Sequence, residues 1–363
     1  MDSAGGDGRA TPRVVRLDEP VTPDLLTELL RRSAVLAEGS VIEVEATSNS
    51  AFNSVVVHLS LDYSGDAPVD APRHLLLKRM QDGAGEREVD FYRVVARGER
   101  PLVRCWDAAF DSQDGSSHLL LEDKRFTHVP AVEREDLIAG RGVPPWPVLQ
   151  GIAAGIGAFH ARRWGDPRIG QHSPFEVRPW FADEASVEAH IDRRRRELDT
   201  FNGSSPSVPL YERALSALPA IWTRHLRDRV ERRAALTLVH GDCYLTQWLA
   251  PRAPAEDPCL VDFDSVSAAP AAFDLAFLLT TFWTSEQRAD HELRFLRAYH
   301  ESLQSHGVQG YSWEDLLMDY RVMIAFVVFD AVFDHANGSS RGYWKPKMRC
   351  LTGAYQDWKC DEL

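Results

Sequence analysis

The sequence predicts an α+β protein with a small β-rich N-terminal lobe, a short hinge near residues 119–124 and a larger helical lobe. Three observations lead there. Short runs of β-branched and aliphatic residues, separated by polar turns, fill the stretch from about 41 to 121. After Leu121 strand signals nearly vanish and patterns of helical period dominate. One β island, Thr237 to Val239 and then Cys259 to Phe263, interrupts those helices. The expected divisions are a disordered segment 1–18, an N-terminal lobe 19–121 and a helical lobe 122–363.

Residues 1–18 are rich in Gly, Asp and Arg and lack periodicity. Thr22-Pro23-Asp24 then reads as a helix start, with Thr22 as the cap, Pro23 in the first turn and Asp24 at the positive end of the helix dipole. The helix runs through Leu25, Leu26, Leu29 and Leu30. Strands follow at Val41–Glu45, Phe52–Leu61 and His74–Met80, with polar turns at Ser48–Ala51 and Ser64–Pro68. Glu86–Ala96 has helical spacing. Leu102–Ala109 and His118–Leu121 are two more strands, joined by a hairpin turn at Asp111–Gly115. Pro144-Pro145-Trp146-Pro147 opens a helix, and further helices are expected at about 182–200, 209–233, 273–282, 286–304 and 313–335.

Composition narrows the function. The 363 residues are 44% hydrophobic and 26% charged, which is ordinary globular composition. A net charge of -13 argues against a nucleic-acid partner and an anionic membrane surface, and favours a cationic or neutral substrate over a polyanion. The five cysteines, 105, 243, 259, 350 and 360, are odd in number and none has CxxC spacing. That points away from zinc and disulfides and towards a reducing, cytoplasmic setting. The N-terminus lacks the apolar core of a signal peptide. The apolar stretches Phe273–Trp283 and Val322–Phe333 are too short to span a bilayer and read as buried helices.

The chemistry gathers in two segments. In Leu236-Thr237-Leu238-Val239-His240-Gly241-Asp242 an apolar strand runs into a polar turn. In Leu260-Val261-Asp262-Phe263-Asp264 a second short strand ends in carboxylates. Magnesium prefers such hard oxygen ligands. Phosphoryl transfer needs a carboxylate near the attacking hydroxyl and oxygen ligands from two loops. There is no Gly-x-x-x-x-Gly-Lys loop, and Gly155-Ile156-Gly157 does not follow a strand, so neither P-loop nor dinucleotide fingerprint is present.

His240-Gly241-Asp242 and the residues to Gln247 resemble the His-Gly-Asp-x-x-x-x-Asn loop of aminoglycoside phosphotransferases and choline-kinase-like enzymes. Asp262-Phe263-Asp264 is similar to their metal-binding segment, and Phe273-Asp274-Leu275-Ala276 to the Asp-Leu-Ala beyond it. Glu88 to Arg93, the hinge Leu119 to Asp123 and Ala158 to Trp164 extend the likeness in the same order along the chain.

The resemblance implies a two-lobed protein-kinase-like fold with a nucleotide-binding N-terminal lobe. It implies ATP or GTP and Mg2+ as cofactors, and a small-molecule hydroxyl as acceptor. Lys78 would contact the α- and β-phosphates, and Glu88, rather than Glu86, would pair with it. The turn from Ser48 to Ala51 would cover the phosphates, and backbone groups around Glu122 and Lys124 would bind the purine edge. Asp242 would take the hydroxyl proton, Asp262 and Gln247 would bind the metal, and His240 and Asp274 would brace the loop. The family usually has Asn where this chain has Gln247, which keeps the amide oxygen on a longer arm.

Other residues have plainer readings. His160 reads as a packed helix residue, Cys243 as a buried structural thiol and Arg193–Arg196 as a solvated helix face, with contact to an anionic substrate group as its rival. The basic, aromatic segment Arg341–Arg349 weighs against an aminoglycoside acceptor. The expected reaction is O-phosphorylation of an antibiotic, which would confer resistance. The alternatives are a sugar or metabolite kinase and a catalytically dead nucleotide-binding module.

Overall fold

The computed structural model describes residues 13–50, 54–81, 83, 85–95, 99–201, 207–253 and 256–363. The chain divides into two compact units, one ending at Phe126 and the other beginning at Thr127.

In the first unit, helix α1 (Pro23–Arg32) starts where Thr22 accepts from the Leu25 N–H at 3.2 Å. Its apolar residues are adjacent or four apart, so Leu25, Leu26, Leu29 and Leu30 form one buried face. That face joins Val57, Leu59, Leu75 and Leu77 in the unit's core. Strands β1 (Val41–Ser50), β2 (Val55–Tyr63) and β3 (His74–Met80) precede helix α2 (Glu86–Val94). Strands β4 (Cys105–Phe110) and β5 (Ser117–Glu122) follow. The five strands form one antiparallel sheet in the order β1-β2-β3-β5-β4. The Asp111–Gly115 turn closes the last hairpin, with the Gly115 N–H on the Asp111 carbonyl at 2.9 Å.

Two expectations change here. Ser48–Ser50 continue β1 and pair with Val57, Val56 and Val55, because β2 opposite supplies the ladder partners that their polarity hid. The remainder of the expected phosphate-covering turn, Ala51, lies outside the described residues, as do 1–12 of the segment read as disordered. The rest of that segment is ordered: Val15 is fully buried in the core and its N–H donates to His118 Nδ1 at 3.1 Å.

The second unit begins with β6 (His128–Pro130), α3 (Arg134–Ile138), α4 (Trp146–Ala161), α5 (Glu184–Asp199), α6 (Val208–His225) and α7 (Arg227–Arg232). Four short strands follow: β7 (Thr237–Val239), β8 (Trp248–Pro251), β9 (Cys259–Leu260) and β10 (Ser267–Ala269). The chain ends in α8 (Ala272–Thr280), α9 (Ser285–Ser305), α10 (Trp313–Val327), α11 (Asp330–Ala336) and α12 (Arg341–Asp357). Strands β10 and β7 pair as one ribbon, and β6-β8-β9 form another. Between them they fix both ends of the segment 240–247. Helix α4 packs on α9, and α8 on α10. Among the described residues no helix is long and apolar enough to cross a membrane.

The helix expected at 209–233 is two helices, because Leu226 leaves helical geometry at φ -119. That expected at 313–335 breaks at Val328-Phe329, which places Asp330 at the first position of α11. Helix α12 was not anticipated. Gly342 and Pro346 obscure a buried stripe at Lys347, Met348, Cys350, Leu351, Ala354 and Tyr355. Strands β6, β8 and β10 are too short to show a period of two in sequence.

Candidate active site

Lys78 lies in the middle of the first unit's sheet, opposite Val56 of β2 and Leu119 of β5. Its Nζ donates to Glu88 Oε2 at 2.7 Å, with Glu88 only 1% exposed. The neighbouring Glu86 is exposed. Strand β3 and helix α2 therefore hold one buried ion pair, and breaking such a pair leaves an uncompensated charge. At the end of β5, Lys124 Nζ donates to Glu122 Oε1 at 2.8 Å, and the Glu122 N–H donates to the Arg104 carbonyl at 2.9 Å. Both side chains are thus turned to each other.

The second unit builds its site around the loop leaving β7. All three residues of β7 are buried, so its direction is fixed before the polar turn begins. The Asp274 carboxylate then accepts from the next two backbone N–H groups, His240 at 2.7 Å and Gly241 at 2.9 Å. It also accepts from His160 Nε2 at 3.1 Å, while His160 Nδ1 meets Tyr299 Oη at 3.0 Å. Burial pushes the Asp274 carboxyl up, but the His160 hydrogen bond and the two facing imidazoles hold it below its ordinary value. His160 is thus a hydrogen-bonded part of the clamp, not only a packed residue.

Gly241 has φ +88, and a Cβ there would sit 2.1 Å from the Ser265 carbonyl oxygen. Only glycine allows that approach. Sequence reasoning missed Arg178, which secures both strands of this crossing. Its Nη2 donates to the Gly241 carbonyl at 3.1 Å, and its Nη1 to the Ser265 carbonyl at 3.2 Å and Ser267 Oγ at 3.1 Å. No local pattern around residue 178 signals this, since its partners lie 63 to 89 positions away.

His240 ties the loop to the second carboxylate segment. Its Nε2 donates to the Val261 carbonyl at 2.8 Å, and its Nδ1 accepts from the Asp242 N–H at 3.3 Å, which selects the Nε2–H tautomer. Asp242 keeps part of its surface open yet sits deep among protein atoms. Burial, then Asp330 and Asp264, push its carboxyl up to about 7; Lys347 opposes them, and Asp262 adds a smaller push. Cys243 is fully buried, and burial raises its thiol well above the ordinary value, so it is inert.

Asp262 adopts φ +72, a conformation that non-glycine residues rarely hold without surrounding constraint. Gln247 Nε2 donates to its Oδ2 at 3.1 Å, and the Val261 N–H donates to the Gln247 carbonyl at 3.1 Å. The structure thus brings Gln247 and Asp262 together. Among the described residues no group of three or more His, Cys, Asp and Glu side chains is set to hold a metal. One carboxylate and one amide oxygen nevertheless suit magnesium, which takes few protein ligands and fills its shell with phosphates and water. The mutual repulsion of Asp242, Asp264, Asp262 and Asp330 leaves negative charge that a cation would offset. Asp262 and Gln247 would hold the ion once the amide turned its oxygen to the place where Nε2 now faces Asp262.

Two basic segments differ from their expected roles. Arg194 is 3% exposed and donates to Glu197 Oε2 at 2.7 Å, so the run Arg193–Arg196 is not uniformly a solvated face. Its guanidinium also lies 5.6 Å over the Trp180 ring. Lys347, from the basic, aromatic segment read as weighing against an aminoglycoside acceptor, is 1% exposed and neutralised by Asp334 at 2.7 Å and by Asp330.

The fold is similar to that of aminoglycoside phosphotransferases and ethanolamine kinases of known structure. The structure resembles a putative aminoglycoside phosphotransferase from Ralstonia eutropha JMP134, with a TM-score of 0.60 and 13% identity over 93% of this chain and 98% of that one. It resembles a Plasmodium vivax ethanolamine kinase, with a TM-score of 0.52 and 11% identity over 88% and 83% of the two chains. It also resembles a thermostable mutant of aminoglycoside phosphotransferase APH(4)-Ia in ternary complex with ADP and hygromycin B (TM-score 0.52, 12% identity, 90% and 96% covered). The model of the Ecdysteroid kinase-like family matches residues 184–308, about a third of the chain, which include Asp242, Gln247, Asp262 and Asp274. No curated protein matched in sequence.

Proposed function

We propose that this protein is a phosphotransferase that moves the γ-phosphate of ATP or GTP to a hydroxyl of a small molecule. The observation that carries this reading is the loop 240–247. A buried carboxylate clamps its backbone, the half-open Asp242 follows, and Gln247 sits against Asp262. In the first unit, Lys78, held by Glu88, binds the α- and β-phosphates, and the backbone around Glu122 and Lys124 meets the purine edge. In the second unit, Asp262 and Gln247 would hold magnesium, which would supply charge neutralisation on the phosphates.

Asp242 accepts a hydrogen bond from the acceptor hydroxyl and orients it. The hydroxyl oxygen forms a bond to the γ-phosphorus as the bond from that phosphorus to the β-γ bridging oxygen breaks. The hydroxyl proton passes to Asp242, and the nucleoside diphosphate leaves. A carboxyl pushed up to about 7 binds that proton more readily than an ordinary aspartate near neutral pH.

The acceptor is a hydroxylated small molecule, an antibiotic or a metabolite. The named relatives include a complex with hygromycin B and an ethanolamine kinase, and they support the two readings equally. Lys347 is already paired with Asp330 and Asp334 and offers no free cation to an anionic acceptor, which favours a neutral or amine-bearing one. The test incubates the protein with ATP or GTP, magnesium and a panel of hydroxylated antibiotics, amino alcohols and sugars. Mass spectrometry then reads the gain of one phosphate. Absence of any phosphorylated product together with magnesium-independent nucleotide binding would sink this reading in favour of a binding module.

A further inference from the structure

Asp242 is secured on its N-terminal side by the Asp274 clamp. A second arrangement meets the loop on the other side. The Tyr244 N–H donates to the Asp242 carbonyl at 2.9 Å, and the Tyr244 hydroxyl donates to Asp330 Oδ2 at 2.9 Å. Lys347 Nζ donates to the Tyr244 hydroxyl at 2.7 Å and to Asp334 Oδ2 at 2.7 Å, and it forms an ion pair with Asp330. An ammonium has three donors, and all three are used. The Tyr244 ring lies 5.7 Å edge-on to Phe277 of α8 and 6.1 Å from Phe282, so its axis is set by packing as well.

This arrangement is costly to build. Lys347 is 1% exposed, and an ammonium taken out of water is tolerated only when fully paired. Well-packed apolar residues often stabilise a fold as well as a buried ion pair does. What they cannot supply is a directed bond to a hydroxyl two residues from Asp242. The partners come from three places, with Asp330 and Asp334 on α11, Lys347 on α12 and Tyr244 on the loop. The helix break at Val328-Phe329 is what sets Asp330 at the start of α11.

We propose that Tyr244, Asp330 and Lys347 form a brace that fixes the backbone on the C-terminal side of Asp242 for phosphoryl transfer. They are positioning residues, with Asp330 and Lys347 acting through the Tyr244 hydroxyl. The role in transfer rests on the phosphotransferase reading above; the brace itself rests on geometry alone.

The test uses the full chain and four variants: Tyr244→Phe, Asp330→Asn, the double variant, and Asp242→Asn. Magnesium-dependent hydrolysis of ATP or GTP, with water as the acceptor, gives kcat and nucleotide KM. Hydrogen exchange is followed at the amides of residues 241–247. Loss of both buried hydrogen bonds of the Tyr244 hydroxyl should lower kcat at least about tenfold in Tyr244→Phe, with nucleotide KM within about twofold. Exchange across 241–247 should rise by a similar factor, and Asp330→Asn, which leaves the Lys347 bond to the hydroxyl, should show a smaller rise in the same amides. The double variant should be no worse than the worse single one, because both break the same link. Asp242→Asn should lower kcat at least about a hundredfold without loosening the loop.

Unchanged exchange in Tyr244→Phe overturns the brace, and so do additive losses in the double variant. Faster exchange with normal kcat overturns its role in transfer. If the wild type hydrolyses neither nucleotide and modifies no acceptor, the phosphotransferase reading fails. The positioning role then fails with it, and exchange alone decides whether the brace exists.

Discussion

At the scale of single residues, the candidate site depends on groups with few tolerable replacements. Asp242→Asn keeps the shape and removes the proposed base. Its kcat should fall at least about a hundredfold, with nucleotide KM little changed. Steady-state kinetics checks this, and near-normal turnover would remove Asp242 from its assigned role. Gln247 offers a sharper comparison. Gln247→Ala should raise the magnesium requirement and lower turnover, whereas Gln247→Asn keeps an amide oxygen and should be tolerated far better. Magnesium titration of both variants separates the outcomes, and identical behaviour would show that the amide is not a ligand. Gly241→Ala should be worse for folding than either, because its Cβ would lie 2.1 Å from the Ser265 oxygen at φ +88. A lower melting temperature, by several degrees for roughly 1–2 kcal/mol, is expected.

At the scale of elements, the clamp couples α4, the start of α8 and the loop after β7 through one carboxylate. Asp274 is held below its ordinary value in the folded chain, although burial alone would raise it. A depressed folded value means that its contribution to stability is present above the unfolded pKa of about 3.9. It is lost as pH falls through the folded value. Asp274→Asn should therefore be less stable at neutral pH and show a shallower decline below about pH 4. Urea unfolding at a series of pH values measures this. Parallel curves for wild type and variant would show that the carboxylate does not act by its charge. In the first unit, β3 and α2 play a comparable part by burying the Lys78–Glu88 pair. There Glu88→Gln should destabilise more than the exposed Glu86→Gln.

At the scale of the whole molecule, the net charge of -13 sets a field that draws cations and repels anions. If the acceptor is amine-bearing, its kcat/KM should fall several-fold between about 20 and 200 mM salt, as the Debye length shortens. A neutral acceptor should show no such slope. Measuring both tests the charge preference directly, and equal slopes would overturn it.

The sequence by itself determined the fold class, many of the longer elements and the local chemistry. Thr22 before a leucine stripe, the hairpin at Asp111–Gly115 and the runs ending in Asp242 and Asp262 are legible because each rests on contacts within a few residues. The fold class was legible for the same reason, since periods of two and of 3.6 are local properties. The tertiary structure decided the rest. It made Ser48–Ser50 strand rather than turn by pairing them with β2. It set Arg178 on the Gly241 carbonyl 63 positions away, and Lys347 on Tyr244 across 103 positions. A lysine in a basic stretch reads as solvated until its partners are known, and Asp330 and Asp334 reach it only after α11 and α12 have packed. Burial and pairing of a charge are properties of what surrounds it in space, and sequence neighbours do not report that.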